Sequence, residues 1–565
     1  VIQEKGDRIY SNDYADLFIE YSGDEAIFDE FTDATIQIID YFLAVVRIPV
    51  QQINNKTILS MGYSVMPHLN GLISETSNEV TGITKVRNIP NLNLRGAGVL
   101  IGIIDTGIDY LNPIFRNADN TTKILTLWDQ TIYGENYESN TYYGTEYTKE
   151  QINQALLSDN PYDIVPSRDE IGHGTMLAGI AAGNEVPDAG FSGVVPDAEL
   201  VVVKLKPAKP YLKDFWRIPQ DAVCYQDNDI LFALEYLEQT AIKYQRPMSI
   251  CVALGTSLSS HDGREALSRN LTARAENLNF SIVVAAGNEG TAKRHYYGMI
   301  NPTIGSDKVE LFVGANEPGF SMVLFGDSPG IFAIDILSPS GEYIPRIVPI
   351  LDENREISFI FEQTKILVDY QMVESQSGDQ LILFRFTKPS QGIWSFKVFG
   401  RGDLSLGFHI WLPMQGFISD NVYFITPNPN TTILSLGNSS VPITVNAYNA
   451  ETNGIYLNAS KGFTRLEKVK PDITAPGVSI TAPSLDQSFI QVTGSSPAAA
   501  HTAGVAAMLL EWGNIRRNFP LLSTEDIKVL MARGAKRDPA NVYPNRDWGY
   551  GILDVYNIFR SFRGI

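Results

Sequence analysis

The apolar positions of this chain fall into two textures. Continuous apolar runs recur at Val99–Ile104, Leu200–Val203, Met248–Ala253 and Ser281–Ala285. Such runs predict strands buried on both faces of a parallel sheet. Helical patterns lie between them, for example Asp229–Tyr244. Strands alternating with helices predict an α/β fold, a parallel sheet flanked by helices with right-handed crossovers. From about 298 to 430 the rhythm changes to short β-type segments: Val309–Gly314, Met322–Phe325, Ile331–Leu337, Ile357–Phe361, Leu381–Phe386, Trp394–Val398 and Gly407–Trp411. Gly, Pro, Asn and Asp separate them, which predicts an inserted β-sandwich of jelly-roll type. The α/β texture resumes near Ser440 and ends in the helices Pro497–Trp512 and Thr524–Gly534.

The N-terminal stretch reads as a small α+β unit. Strand-like runs lie at Asp16–Tyr21, Thr35–Asp40 and Tyr41–Pro49, with a short helix expected over Gln51–Leu59. The expected organisation is 1–75, an N-terminal unit; 76–297, the first part of the α/β core; 298–430, the insertion; and 431–565, the second part of the core.

Composition removes several classes of function. The net charge of −20 disfavours nucleic acid and anionic membrane surfaces, because phosphate attracts basic proteins. With 12 acids against 4 bases, residues 1–75 carry a large share of that charge. Two cysteines, Cys224 and Cys251, cannot build a disulfide scaffold and read as buried thiols. No apolar run reaches the ~18 residues that span a bilayer. Val1–Tyr10 is polar, so no signal peptide is expected in this chain. His261, His295 and His409 lack metal-ligand spacing, and no acidic loop has a clear calcium pattern.

Four local words carry candidate chemistry. Asp105, in Ile103-Ile104-Asp105-Thr106-Gly107, ends a buried strand, where α/β sheets build their sites; alone it reads first as a turn cap. His173, in Gly172-His173-Gly174-Thr175, opens a helix of small residues; alone it reads equally as a structural histidine. Asn288, in Ala286-Gly287-Asn288-Glu289, follows an apolar strand and reads as a turn residue or a side-chain donor. Ser496 is expected as a helix N-cap with Pro497 in the first helical position; a plain cap is the ordinary reading.

Taken together, the order Asp, His, Asn, Ser with these surrounding glycines resembles the subtilisin-like serine proteases, the subtilases. Val195-Pro196-Asp197-Ala198 and Pro471-Asp472-Ile473-Thr474-Ala475-Pro476-Gly477 resemble their connecting segments. The resemblance implies Ser496 as nucleophile, His173 as general base, Asp105 as its orienting carboxylate and Asn288 as oxyanion donor. It further implies Ala253, Leu254 and Gly255 as the strand that binds an extended substrate, with no cofactor needed for the chemistry. Departures occur at Pro497 and Ala500, where the family usually has Met and Pro, and at Ala253, usually serine.

The long gap from Asn288 to Ser496, the N-terminal unit and the segment Lys123–Thr131 are similar to the Csp proteases of clostridial spores, in their active, CspB-type branch. That likeness implies a self-cleaved prodomain that stays bound and scission at about residues 62 to 80. Met61–His68 is the expected tail in the cleft, with His68 in a surface or packing role. It also implies location in a bacterial spore, and a protein substrate, the precursor of a cortex-lytic hydrolase cleaved during germination. Pseudoprotease relatives are implied partners, and a pseudoprotease-like sensor without turnover is the alternative. Trp394 and Trp411 read as core residues or as platforms for sugar rings.

Overall fold

In the computed structural model, which describes residues 8–31, 33–53, 61–72, 81–89, 92–133, 141, 143–349, 354–401 and 403–562, the apolar run at Leu100–Asp105 lies inside a nine-stranded sheet. Met248–Val252 and Glu199–Lys204 flank it in parallel; Phe280–Ala285, Ile443–Asn449 and Ile473–Pro476 continue one wing, and Ile124–Asp129 the other. Only the margins, Thr145–Thr148 and Gly454–Ile455, are antiparallel. Every residue of Leu100–Asp105 is buried, because alternate side chains feed two cores. Ile101 and Ile103 pack with the helices His173–Ala182 and Ser495–Leu510, while Leu100 and Ile104 pack with Asp227–Tyr244. The C-terminal end of the central strand therefore opens toward the start of two helices.

Residues His295–Trp411 form most of two antiparallel sheets. One has six strands, from His295–Ile300 through Leu406–Trp411, Gly319–Gly326, Gln380–Thr387 and Lys365–Gln371 to Asn354–Ser358. The other has five, ordered Tyr343–Ile347, Ile331–Leu337, Gly392–Arg401, Ser306–Val313 and Tyr423–Phe424. Their inward side chains make one apolar core of their own. Trp394 and Trp411 are both buried, so neither is a sugar platform.

A third, three-stranded antiparallel sheet, Tyr14–Glu20, Leu43–Pro49 and Thr35–Ile38, lies at the N-terminus. Val50–Gln52 is a short 3₁₀ turn, and most of the expected helix Gln51–Leu59 lies outside the described residues. Asp16 docks this sheet: it pairs with Arg47 at 2.7 Å and with Lys209 of the core at 2.8 Å. Burial would raise the Asp16 carboxyl, but the cations of Lys209, Arg47 and Lys206 hold it at about 2. Arg465 stitches the α/β core to the two-sheet segment, reaching Asp379 at 2.6 Å, Asp262 at 3.1 Å and Asp327 at 3.2 Å. At the same seam the rings of His261, His295 and His409 all stack on Trp411. Among the described residues no helix is long and apolar enough to cross a membrane.

Candidate active site

The site grows from the end of the central strand. Asp105 is the last residue of that strand and His173 is the first of the helix His173–Ala182. Asp105 Oδ1 lies 2.8 Å from His173 Nδ1, with both side chains almost wholly buried. An ionised carboxylate can only accept, so Nδ1 carries the proton and Nε2 presents a lone pair. Asp105 Oδ1 also accepts the backbone N–H of Thr106 at 2.8 Å.

Asp169 fixes this pair from behind. Its Oδ1 accepts from Thr106 Oγ1 at 2.8 Å and Gly172 N at 2.7 Å. Its Oδ2 accepts from Thr175 N at 2.9 Å and Thr175 Oγ1 at 2.7 Å. One carboxylate thus clamps the turn after Asp105 to the first turn of the His173 helix. Gly174 permits the close approach: a Cβ there would collide with the carbonyl oxygen of Gly107. Asp169 escaped the sequence reading, although an acid four residues before the histidine was the available signal.

Ser496 is the second residue of the helix Ser495–Leu510, and Gly494 is its N-cap. The expected capping role of Ser496 is therefore wrong, and Pro497 stands in the third helical position. The reason is local: Ser495 Oγ accepts from Gly287 N at 3.0 Å, and Ser495 N donates to Asn288 Oδ1 at 3.1 Å. These two bonds tie the helix start to the loop after Phe280–Ala285. They also turn the Asn288 amide so that its carbonyl end is engaged and its Nδ2 end is the donor. The hydroxyl of Ser496 is buried and makes no hydrogen bond in this structure. The Asp105–His173 bond is thus formed and a Ser496–His173 bond is not. Such bonds often tighten only around a bound substrate.

Leu254–Gly255 forms an edge strand after Val252, and Ala253 is buried beside it. Its partner is the chain itself. Leu69–Leu72 pairs antiparallel with it, Leu254 opposite Leu72 and Gly255 opposite Gly71. The other edge of Leu69–Leu72 pairs with Tyr225–Gln226. The segment in the groove is thus Leu69–Leu72, beyond the expected tail Met61–His68, whose last residues lead into it. His68 is buried rather than on the surface: Nδ1 lies 3.0 Å from Asp227 Oδ2, and its ring stacks on Trp216. Asp227 and Trp216 were also missed, because their use depends on a pairing about 150 residues away along the chain.

Among the described residues no group of His, Cys, Asp and Glu could hold a metal ion. His261, His295 and His409 do meet in space, but as a ring stack with a 2.9 Å bond between His295 and His409. Cys224 and Cys251 are buried, unpaired thiols, and burial raises both, Cys224 to about 11.

The arrangement resembles known proteins at several levels. The family model described as "Subtilase family" matches residues 96–309 and 420–551. "Subtilisin-like protease SBT1.9" of Arabidopsis thaliana is 24% identical over 473 residues, covering 73% of this chain and 57% of the relative. "PII-type proteinase" of Lacticaseibacillus paracasei is 22% identical over 477 residues, covering 76% of this chain and 23% of the relative. The chain therefore spans little more than half the length of the plant relative and under a quarter of the bacterial one. A solved structure titled "Structure of the Clostridium Perfringens CspB protease" superimposes with a TM-score of 0.76 at 28% identity, covering 86% of this chain and 99% of that one.

Proposed function

From the premise that the chain belongs to the subtilase family of serine peptidases, we propose that it is a serine endopeptidase with Ser496, His173, Asp105 and Asn288 as its working groups. The observation that carries this reading is the buried 2.8 Å Asp105–His173 pair beside a helix start that Asn288 stitches to the sheet. A free hydroxyl is a poor nucleophile, so His173 Nε2 takes the Ser496 proton as Oγ attacks the scissile carbonyl. Asp105 holds the tautomer and stabilises the imidazolium. Negative charge on the tetrahedral oxygen is met by Asn288 Nδ2 and the Ser496 backbone N–H. His173 then gives its proton to the leaving amine, and a water molecule hydrolyses the ester by the same relay.

Leu254–Gly255 takes the peptide as an added strand, with Ala253 beside it. The placement of Leu69–Leu72 on that strand supports reading residues 1–75 as a prodomain whose tail lies in the cleft as substrate or product does. The buried Asp16–Lys209 pair, which ties this unit to the core, supports its retention after scission. The two-sheet segment is read as a jelly-roll insertion. Likeness to the clostridial protease over 86% of the chain supports limited proteolysis of a protein precursor, a spore cortex-lytic zymogen activated at germination. Ser496→Ala tests the chemistry. Self-processing and precursor cleavage should both disappear, with kcat down on the order of 10⁶, the loss subtilisin itself shows. Equal processing by parent and variant would reject the proposal.

A further inference from the structure

The strand in the cleft is held by its side chains as well as its backbone. On one face, Asp227 gathers three donors. Its Oδ2 accepts from His68 N at 3.0 Å and faces His68 Nδ1 at 3.0 Å, and its Oδ1 accepts from Asn70 Nδ2 at 2.8 Å. Asp227 is itself buried. Trp216 covers the His68 ring at 5.5 Å and donates its indole N–H to Pro67 O at 3.0 Å. Burial lowers the His68 pKa, but the Asp227 bond and the charges of Asp227, Glu265 and Glu374 outweigh it, so the net shift is upward and the donor form is favoured.

Gly71 is confined elsewhere. A Cβ there would sit 3.2 Å from Met414 Cε and Sδ and 3.2 Å from Phe417 Cε1. Ordinary contact begins a few tenths of an ångström further out, so alanine is at the limit and a longer side chain must displace the roof. That roof is anchored. Phe417 N donates to Met414 O at 3.0 Å, Gln415 N to Glu289 Oε1 at 3.0 Å, and Ser257 Oγ to Leu412 O at 2.6 Å. Met414 and Phe417 are both buried, and both lie outside the stretches that match the subtilase family.

We infer that this cleft selects peptides by sequence: donor side chains at alternate positions, read by Asp227, followed at once by a glycine under Met414 and Phe417. His68, Asn70 and Gly71 are the chain's own copy of that pattern. A peptide lacking the donors leaves a buried carboxylate unpaired, which rejects it more strongly than lost apolar contact would. The inference rests on the endopeptidase reading for its meaning as substrate selection, but its geometry is testable without turnover.

Two measurements test it. In the full-length Ser496→Ala protein, amide hydrogen exchange of Leu69–Leu72 should rise at least about tenfold on adding Gly71→Leu, and fall back when Met414→Ala is added. Unchanged protection in the Gly71→Leu protein overturns the inference. The second uses fluorogenic peptides with the sequence of residues 67–78. The parent peptide should be cleaved about 100-fold faster than its Gly71→Leu version and about tenfold faster than its Asn70→Leu version. Equal rates overturn the inference and leave the endopeptidase reading standing. No cleavage of any peptide by the Gly71→Leu enzyme, whose cleft the raised exchange shows to be open, sinks the endopeptidase reading and leaves the selective cleft in place.

Discussion

At Asn288 one hydrogen bond decides which end of an amide accepts and which end donates. Its Oδ1 accepts from Ser495 N, which makes Nδ2 the donor end of the amide. Asn288→Leu should lower kcat by about 10² to 10³, the range known for the equivalent donor of subtilisin, with KM changed less than about threefold. Steady-state kinetics on a peptide substrate would check this, and an unchanged kcat would remove Asn288 from the chemistry. The residue scale is also where the sequence was most and least readable. Asp105 and Asn288 stand where glycine-marked turns leave buried strands, and His173 where one opens a helix, and such turns show in the sequence. Ser496 was misplaced by one structural role, because Ser and Pro are good capping residues and nothing local reveals that Ser495 is drawn to Gly287 and Asn288. Asp227, Met414 and Phe417 were invisible, since they act on a segment far away along the chain.

Elements explain why those side chains hold their places. The helix His173–Ala182 starts against the turn after Asp105, with Gly174 packed on the Gly107 backbone. Gly174→Val should push the helix start away, lengthen the Asp105–His173 bond and cost at least about tenfold in kcat. Thermal unfolding should fall by several degrees as well, since strain at a packed backbone contact costs about 1–3 kcal/mol. Wild-type kcat and melting temperature would show that the contact is not needed. Continuous apolar runs located the central strands within a residue or two, because burial on both faces leaves no polar alternation to confuse. The two-sheet segment was harder. Tyr343–Ile347 buries little beyond Ile347 and carries a proline, so it shows no clean alternation. His295–Ile300 begins before the expected boundary at 298, because its first residues look like the end of the core.

Across the whole molecule, the seam between the α/β core and the two-sheet segment is a store of neutral imidazoles. Burial depresses His261 to about 4 and His295 to about 3, and His409, buried near Arg465 and Arg546, falls well below its ordinary value. Unfolded, each takes a proton near pH 6.5; folded, none does until much lower. The contribution of these three histidines is therefore full above about pH 6.5 and is lost as pH falls from there toward about 4. Asp16 adds a separate loss, between its ordinary value and about 2. Melting temperatures measured from pH 8 to pH 4 should decline below 6.5, and His261→Gln should flatten part of that decline. A flat profile in the parent protein would contradict this balance.

A strand that fills a groove from within its own polypeptide is a ligand whose local concentration, on the order of millimolar for a short tether, no buffer can dilute. Continuous chain means constant occupancy, whatever the amount of protein in the tube. Were the backbone beyond Leu72 cut, as the proposed function has it, the same contacts would become a reversible complex governed by mass action. One covalent event would then turn a concentration-blind latch into a concentration-sensitive one, so the onset of turnover would come sooner in a thin solution than in a crowded compartment.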